Sequence, residues 1–93
     1  MAARFEWDAQ KAKTNQQKHQ IDFEEASTIF ADPQFITFLD DEHSQDEERY
    51  ISIGLSNMKR VLMVAHSERK NKTRIISARK ATEYEEKFYQ ETG

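Results

Sequence analysis

Apolar and polar positions change rhythm near Pro33. Before it they recur at helical spacing. After it they alternate, until a helical rhythm returns at Thr82. Phe5-Glu6-Trp7 alternates and reads as a short leading strand. Asp8 is a good N-cap, and a helix from about Ala9 to Lys18 or His19 is expected behind it. Apart from Ala9 and Ala12 that helix is polar, so it must be exposed or face a polar partner. Trp7, Lys11, Thr14 and Lys18 form one stripe along it, and Asp8, Ala12, Asn15 and His19 another. Gln20 ends it, at a position where a left-handed backbone usually selects Gly. Asp22 and Glu25 make a capping-box-like pair that opens a second helix. Phe23, Ala26, Ile29 and Phe30 give it an apolar stripe, and Asp32-Pro33 stops it.

Four strand signals follow: Phe35 to Leu39, Arg49 to Leu55, Arg60 to His66 and Thr73 to Arg79. In the second, Ile51, Ile53 and Leu55 share one face and Tyr50, Ser52 and Gly54 the other. The acidic stretch 40–48 is a loop, Ser56 to Lys59 a turn with Asn57 suited to positive φ, and Glu68 to Asn71 a polar turn. Short turns between consecutive strands imply an antiparallel meander. Thr82 and Glu85 form a capping box that opens a last helix, with Tyr84 and Phe88 on one side. The expected fold class is α+β: a curved four-stranded antiparallel meander, with a short N-terminal strand possible, packed by two N-terminal helices and one C-terminal helix. No repeat, linker or low-complexity segment divides the 93 residues, so one domain over 1–93 is expected.

The stretch Lys72 to Ala81 organises the rest. It reads as a strand running directly into the last helix. Strict alternation puts Arg74, Ile76 and Ala78 on one face and Ile75, Ser77 and Arg79 on the other. Arg79 stands at the strand exit, held by regular structure on both sides, where its guanidinium can fork around a phosphate or carboxylate.

Composition narrows the function classes. Charged residues make up 33% of the chain, yet six Phe, three Tyr and one Trp supply core material, so disorder is excluded. The absence of cysteine rules out disulfides, thiolate nucleophiles and Cys-based zinc sites. The longest apolar run, Val61 to Ala65, is strand-sized, and no signal-peptide core is visible, so a soluble cytoplasmic protein without membrane contact is expected. Net charge is −3, but it is unevenly spread. Asp40, Asp41, Glu42, Asp46, Glu47 and Glu48 fall in one stretch. Lys59, Arg60, Arg69, Lys70, Lys72, Arg74, Arg79 and Lys80 fall in another, against Glu68 alone. An acidic chain can therefore still carry a basic face.

Ordered short motifs along the chain carry a resemblance. Phe5-Glu6-Trp7-Asp8, Lys11, Asn15-x-x-Lys18-His19, Phe23-Glu24-Glu25-Ala26 and Phe30-x-Asp32-Pro33 come first. His43-Ser44, Glu47-Glu48-Arg49-Tyr50, Ile53-Gly54 and Arg74-Ile75-Ile76-Ser77-Ala78-Arg79-x-Ala81 follow. In order and spacing the set resembles BrnT-type toxins, from about Phe5 to Tyr89. Gln20 departs from that pattern, which usually has Gly. The resemblance implies a RelE-like toxin fold and a ribonuclease that inhibits translation. It also implies a cognate BrnA-type antitoxin with a ribbon-helix-helix part, through which operator DNA is touched only indirectly.

Metal-independent RNA cleavage by the substrate's own 2′-hydroxyl needs a base, cations for the phosphorane and a donor for the leaving oxygen. Under the resemblance the catalytic candidates are His19, Lys18, Glu48 and Arg79, with His66 a further candidate base. Lys11, Arg49, Arg60, Arg69 and Arg74 are candidate RNA-binding residues. No cofactor and no metal are expected. Structural readings compete with each role. Lys18 and His19 complement a helix dipole, Arg79 can pair with Glu83 or Glu85, Trp7 suits a core anchor, and His66 suits a satisfied structural histidine. The carboxylates around His43 read better as a solvated loop than as a metal site. The alternative function is a non-enzymatic RNA- or protein-binding module using a basic sheet face.

Overall fold

The structure is a computed structural model that describes residues 4–43 and 47–92. Its elements are β1 (Arg4–Glu6), α1 (Ala9–His19), α2 (Phe23–Thr28), β2 (Ile36–Leu39), β3 (Arg49–Leu55), β4 (Val61–Arg69), β5 (Lys72–Lys80) and α3 (Glu83–Thr92). A 3-10 turn, Ile29–Ala31, extends α2, and another, Asp41–His43, follows β2. The loop expected over 40–48 falls partly outside the described residues, at 44–46, as does Ser44 of the His43-Ser44 motif.

The meander is present, and a fifth strand joins it. The sheet order is β1-β5-β4-β3-β2. β1 lies parallel to β5, with Glu6 opposite Arg74, while the other pairs are antiparallel. Strands β4 and β5 are longer than their apolar cores suggest, because their polar ends continue pairing to a two-residue turn. Lys70 and Asn71 in that turn both take positive φ, 49° and 66°, a combination that matches the strand twist of a tight hairpin. In the β3–β4 turn it is Lys59 (φ 64°), not Asn57, that turns left-handed.

One sheet face is buried by the first two helices. Phe23, Ala26 and Ile29 of the α2 segment, with Ile21, pack on Leu62, Val64, Ile75 and Ala78. Trp7 packs against this core, edge-on to Phe23 at 5.9 Å. A Cβ at Gly54 would meet the Ile29 and Phe35 Cβ atoms at 3.0 Å, so any larger residue there pushes these neighbours aside by a few tenths of an ångström. On the same face His66, 2% exposed, bonds Ser52 Oγ at 2.7 Å and Glu68 Oε2 at 2.8 Å. Burial pushes its pKa down, against the pull of Glu68. It is a satisfied structural histidine on the helix-covered side, unavailable as a base.

Strict alternation fails once in β5, and the failure matters. Ala65 pairs Ser77 while His66 pairs Ile75, so Ile76 is the extra residue of a bulge. The bulge turns both Ile75 and Ala78 into the core and leaves Arg74, Ser77 and Arg79 together on the opposite face. The sequence expectation that Arg74 and Arg79 face opposite ways is thereby corrected.

That opposite face is open apart from α3, which crosses one end. Register builds rows across it: Ile36, Ile53, Met63 and Arg79; then Phe38, Ile51, Ala65 and Ser77; then Arg49, Ser67 and Arg74. Tyr89 of α3 anchors the helix by donating to Asp32, which also accepts from the Leu55 amide at 2.9 Å. Burial, followed by the Asp32 contact, pushes the Tyr89 hydroxyl up to about 12.

Candidate functional site

Helix α1 supplies the cationic side of the site, and one side chain holds it there. Beyond Glu6 the outer edge of β5 has lost its strand partner. Asn15, 6% exposed, completes it. Its Nδ2 donates to Ala78 O at 2.9 Å and its Oδ1 accepts from Ala78 N at 3.1 Å. The amide therefore bonds the β5 edge as a strand residue would. Nδ2 also reaches Ile21 O at 3.0 Å, tying down the chain after the helix. Asp8 caps the other end, its Oδ1 accepting from Gln10 N at 2.8 Å and Lys11 N at 3.0 Å. Gln20 closes α1 with φ 60° and ψ 33°, so Gly is not needed to end the helix there. Lys18 and His19 consequently sit in a last turn fixed against Ser77, Ala78 and Arg79.

Two connected depressions result. One, of about 290 Å³, is lined by His19, Ile51, Met63, Ala65, Ser77, Ala78 and Arg79. The other, of about 260 Å³, runs beside it along α1 and includes Lys11, Thr14, Lys18, His19, Ile76 and Ser77. His19 and Ser77 belong to both. Sequence reasoning missed Ser77 and Asn15 as site residues: alternation put Ser77 on the face of Arg79, but its place beside His19 became visible only in the cleft, and Asn15 only through a contact 63 residues away in sequence.

Arg79 stands at the far wall. It forms a two-pronged pair with Glu85, Nη1–Oε1 2.8 Å and Nη2–Oε2 2.9 Å, and lies 3.2 Å from Met63 Sδ. The Arg79 guanidinium, then the Thr82 amide, hold the Glu85 carboxyl down at about 2. Glu85 also caps α3, accepting from Thr82 N at 2.8 Å while Thr82 Oγ1 accepts from Glu85 N at 3.2 Å. One carboxylate thus fixes both the helix start and the arginine. Glu85, rather than Glu83, is the pairing partner, and Arg79 remains 41% exposed on the cleft.

The other candidates lie at graded distance from this cleft. Arg74 shares its face, in register with Ser67 and, across it, Arg49. The Ser67 hydroxyl is buried and has no hydrogen-bond partner among the described residues. Glu48 is exposed just before β3 and lines neither depression. Arg69 lies at the β4–β5 hairpin end, opposite Lys72. Arg60 sits on the β3–β4 turn side with its guanidinium committed to Glu25, through Nε at 2.9 Å and a second bond from Nη2. Glu25 is 5% exposed. Burial works to raise its pKa, and Arg60 and Ser56 outweigh it, leaving the carboxyl below the usual range. The Arg60 charge is therefore spent on the core. Among the described residues no group of three or more acidic or histidine side chains is placed to hold a metal ion, and no helix is long and apolar enough to cross a membrane.

The fold and cleft define a small α+β domain with a basic helix and three arginines, Arg49, Arg74 and Arg79, on one open sheet face, a surface suited to a phosphate chain. Residues 7–85 match the family model described as the ribonuclease toxin BrnT of type II toxin–antitoxin systems. The chain belongs to this family of ribonuclease toxins, whose systems pair each toxin with an antitoxin. In structure it is similar to the Brucella abortus ribonuclease toxin BrnT, with a TM-score of 0.67 at 22% identity over 88% of this chain and 100% of that one. No curated protein matches it in sequence.

Proposed function

We propose that the protein cuts RNA on its open sheet face without metal, inhibits translation by doing so, and is neutralised by a BrnA-type antitoxin. The observation that carries this is the meeting of His19, Ser77 and Arg79 in one cleft, with Lys18 and Lys11 alongside, in a chain of a ribonuclease-toxin family. The 2′-hydroxyl oxygen attacks the adjoining phosphorus and the P–O5′ bond breaks. The products are a 2′,3′-cyclic phosphate and a 5′-hydroxyl. Arg79 forks the non-bridging oxygens and takes up the charge of the phosphorane. His19 handles the proton, removing it from the nucleophile or returning it to the leaving oxygen. Lys18 and Lys11 hold the backbone on the α1 side, and Arg74 with Arg49 carries it along the sheet. Glu48, Arg60 and Arg69 stay outside the reacting centre in this reading, Arg60 because Glu25 already holds it. This division of labour is akin to RelE-like ribonucleases, which rely on cations more than on a fixed triad.

Induced expression tests it. The intact chain is expected to arrest growth with loss of total RNA on a gel, while Arg79→Ala and His19→Gln fold and do neither. Cleavage by the purified chain should persist in excess EDTA. Arrest that survives Arg79→Ala removes that residue from the site. RNA binding with no turnover in the intact chain transfers the protein to the binding-module class.

A further inference from the structure

Across Met63 from the cleft lies a third depression of about 380 Å³, lined by Phe38, Ile53, Met63, Tyr84, Glu85 and Phe88. Its floor is the buried Ile53, but its walls are unusually bare for a small domain: Phe38 is 42% exposed, Phe88 43% and Tyr84 81%. Contiguous exposed aromatics of this kind mark an interaction surface. Aromatic walls beside a phosphate cleft invite a base-stacking role, yet the charge around them is wrong for RNA. Outward on α3 stand Glu83, Glu86 and Glu91, with Lys87 alone in opposition. A polyanion is repelled here, whereas a segment carrying Lys or Arg beside its apolar anchors is attracted. A second copy of this chain would bring the same carboxylates against themselves. The lysines that suit RNA, Lys11 and Lys18, lie on the other side of the cleft, and Arg79, at the wall between cleft and groove, has its charge held by Glu85.

We infer that this acidic-rimmed aromatic groove docks a cationic amphipathic segment of the antitoxin protein, with apolar anchors on Phe38, Tyr84 and Phe88. The inference rests on the toxin reading above and adds to it a surface and a partner chemistry. β2 is the last strand of the sheet and its outer edge carries no strand among the described residues, so backbone pairing can add to side-chain docking. Glu85 lines this groove and holds Arg79, and Met63 is common to groove and cleft. An occupant is therefore seated against the wall of the RNA cleft, and neutralisation needs no direct ligation of His19 or Lys18.

Two probes test this on the purified chain. The first is a short amphipathic peptide with Leu and Phe on one face and Lys on the other, set beside its Glu-for-Lys counterpart. The second is a single-stranded RNA oligonucleotide. The variants are Tyr84→Ser and Phe88→Ser, at exposed positions, with circular dichroism to confirm folding. The Lys peptide is expected to bind the intact chain about tenfold more tightly than the Glu peptide, and to lose about tenfold in each variant, while RNA affinity stays within about twofold. Equal binding of the two peptides, or peptide binding indifferent to both substitutions, overturns the inference. So does RNA affinity that falls with Tyr84 and Phe88, which would make the groove a base platform. The toxin reading fails separately, through an intact chain that neither binds nor cuts the oligonucleotide, and the peptide arms remain readable in that event.

Discussion

Arg79 has two uses that compete for one guanidinium. In the free protein Glu85 occupies both prongs, and a phosphate must share or displace that pair. The pair also sets an acid limit on the fold. The folded pKa of Glu85, about 2, lies below its ordinary 4.5. Its stabilisation is therefore complete above pH 4.5 and is lost as pH falls from there toward 2. With Arg79 41% exposed, solvent screening holds this to about 1 kcal/mol. Glu85→Gln is expected to lower Tm at pH 7 and to flatten the decline of Tm between those two pH values; a decline as steep as in the parent refutes the assignment. Gln20 is a second case where one residue carries strain. Its left-handed backbone costs about 1 kcal/mol that Gly would not incur. Gln20→Gly is expected to raise Tm by about 4–8 °C, with no change in RNA cleavage, and an unchanged or lower Tm rules the strain out. Both residues were legible in the sequence, Glu85 as a capping-box member and Gln20 as a misplaced helix stop. His66 was legible only as an ambiguity, resolved by its burial against Ser52 and Glu68. Asn15 was not legible, because an amide that bonds a distant strand edge leaves no local pattern.

At the scale of elements, the helix and strand rhythms were sufficient for the order and for most boundaries. Caps at Asp8, Asp22 and Thr82 made the helix starts readable. Alternation was not sufficient for β5, since period-two reading assumes no extra residue. The bulge at Ile76 is what brings Arg74 and Arg79 to one face. Deleting Ile76 makes Ile75 and Ser77 consecutive and restores strict alternation, with Ile75 and Ala78 still on the core face and Arg74, Ser77 and Arg79 still on the open one. The shortened chain is therefore expected to fold, within about 2 kcal/mol of the parent by chemical denaturation. A larger loss would mean that the bulge itself, and not only the register, holds the strand. β1 was anticipated as a strand but not as a parallel edge partner of β5, because pairing between the chain's beginning and its last strand is a matter of tertiary assembly.

For the whole molecule, net charge was the least useful number. The chain is acidic by −3, yet the charge is divided, with a basic α1–β5 side and an acidic α3. RNA affinity should follow the local charge. Three or four phosphate contacts predict a log–log salt slope of about −2 to −3 for a single strand. Fluorescence titration at several salt concentrations reads it. A flat salt response would exclude Lys11, Lys18, Arg74 and Arg79 as the RNA contacts. The family was legible in the sequence because its motifs recur in order over most of the length. The cleft's geometry was not, since it joins residues 11–19 to 74–79 through contacts no motif spells out.

The Asn15–Ala78 bonds bridge 63 positions of sequence, and this makes the site a property of two pieces rather than one. The first piece carries the lysines and His19 on α1; the second carries Ser77 and Arg79 on β5. A chain severed within the acidic stretch between β2 and β3 leaves each fragment with half a cleft: the first keeps only the two outer strands, β1 and β2, and the second the three inner strands with both edges unpaired. Each half should be harmless when expressed alone, and growth should stop only when both are induced together. The protein is in that sense a lock whose halves can be stored apart, with one asparagine as the catch; Asn15→Leu in the first fragment should abolish the reunion.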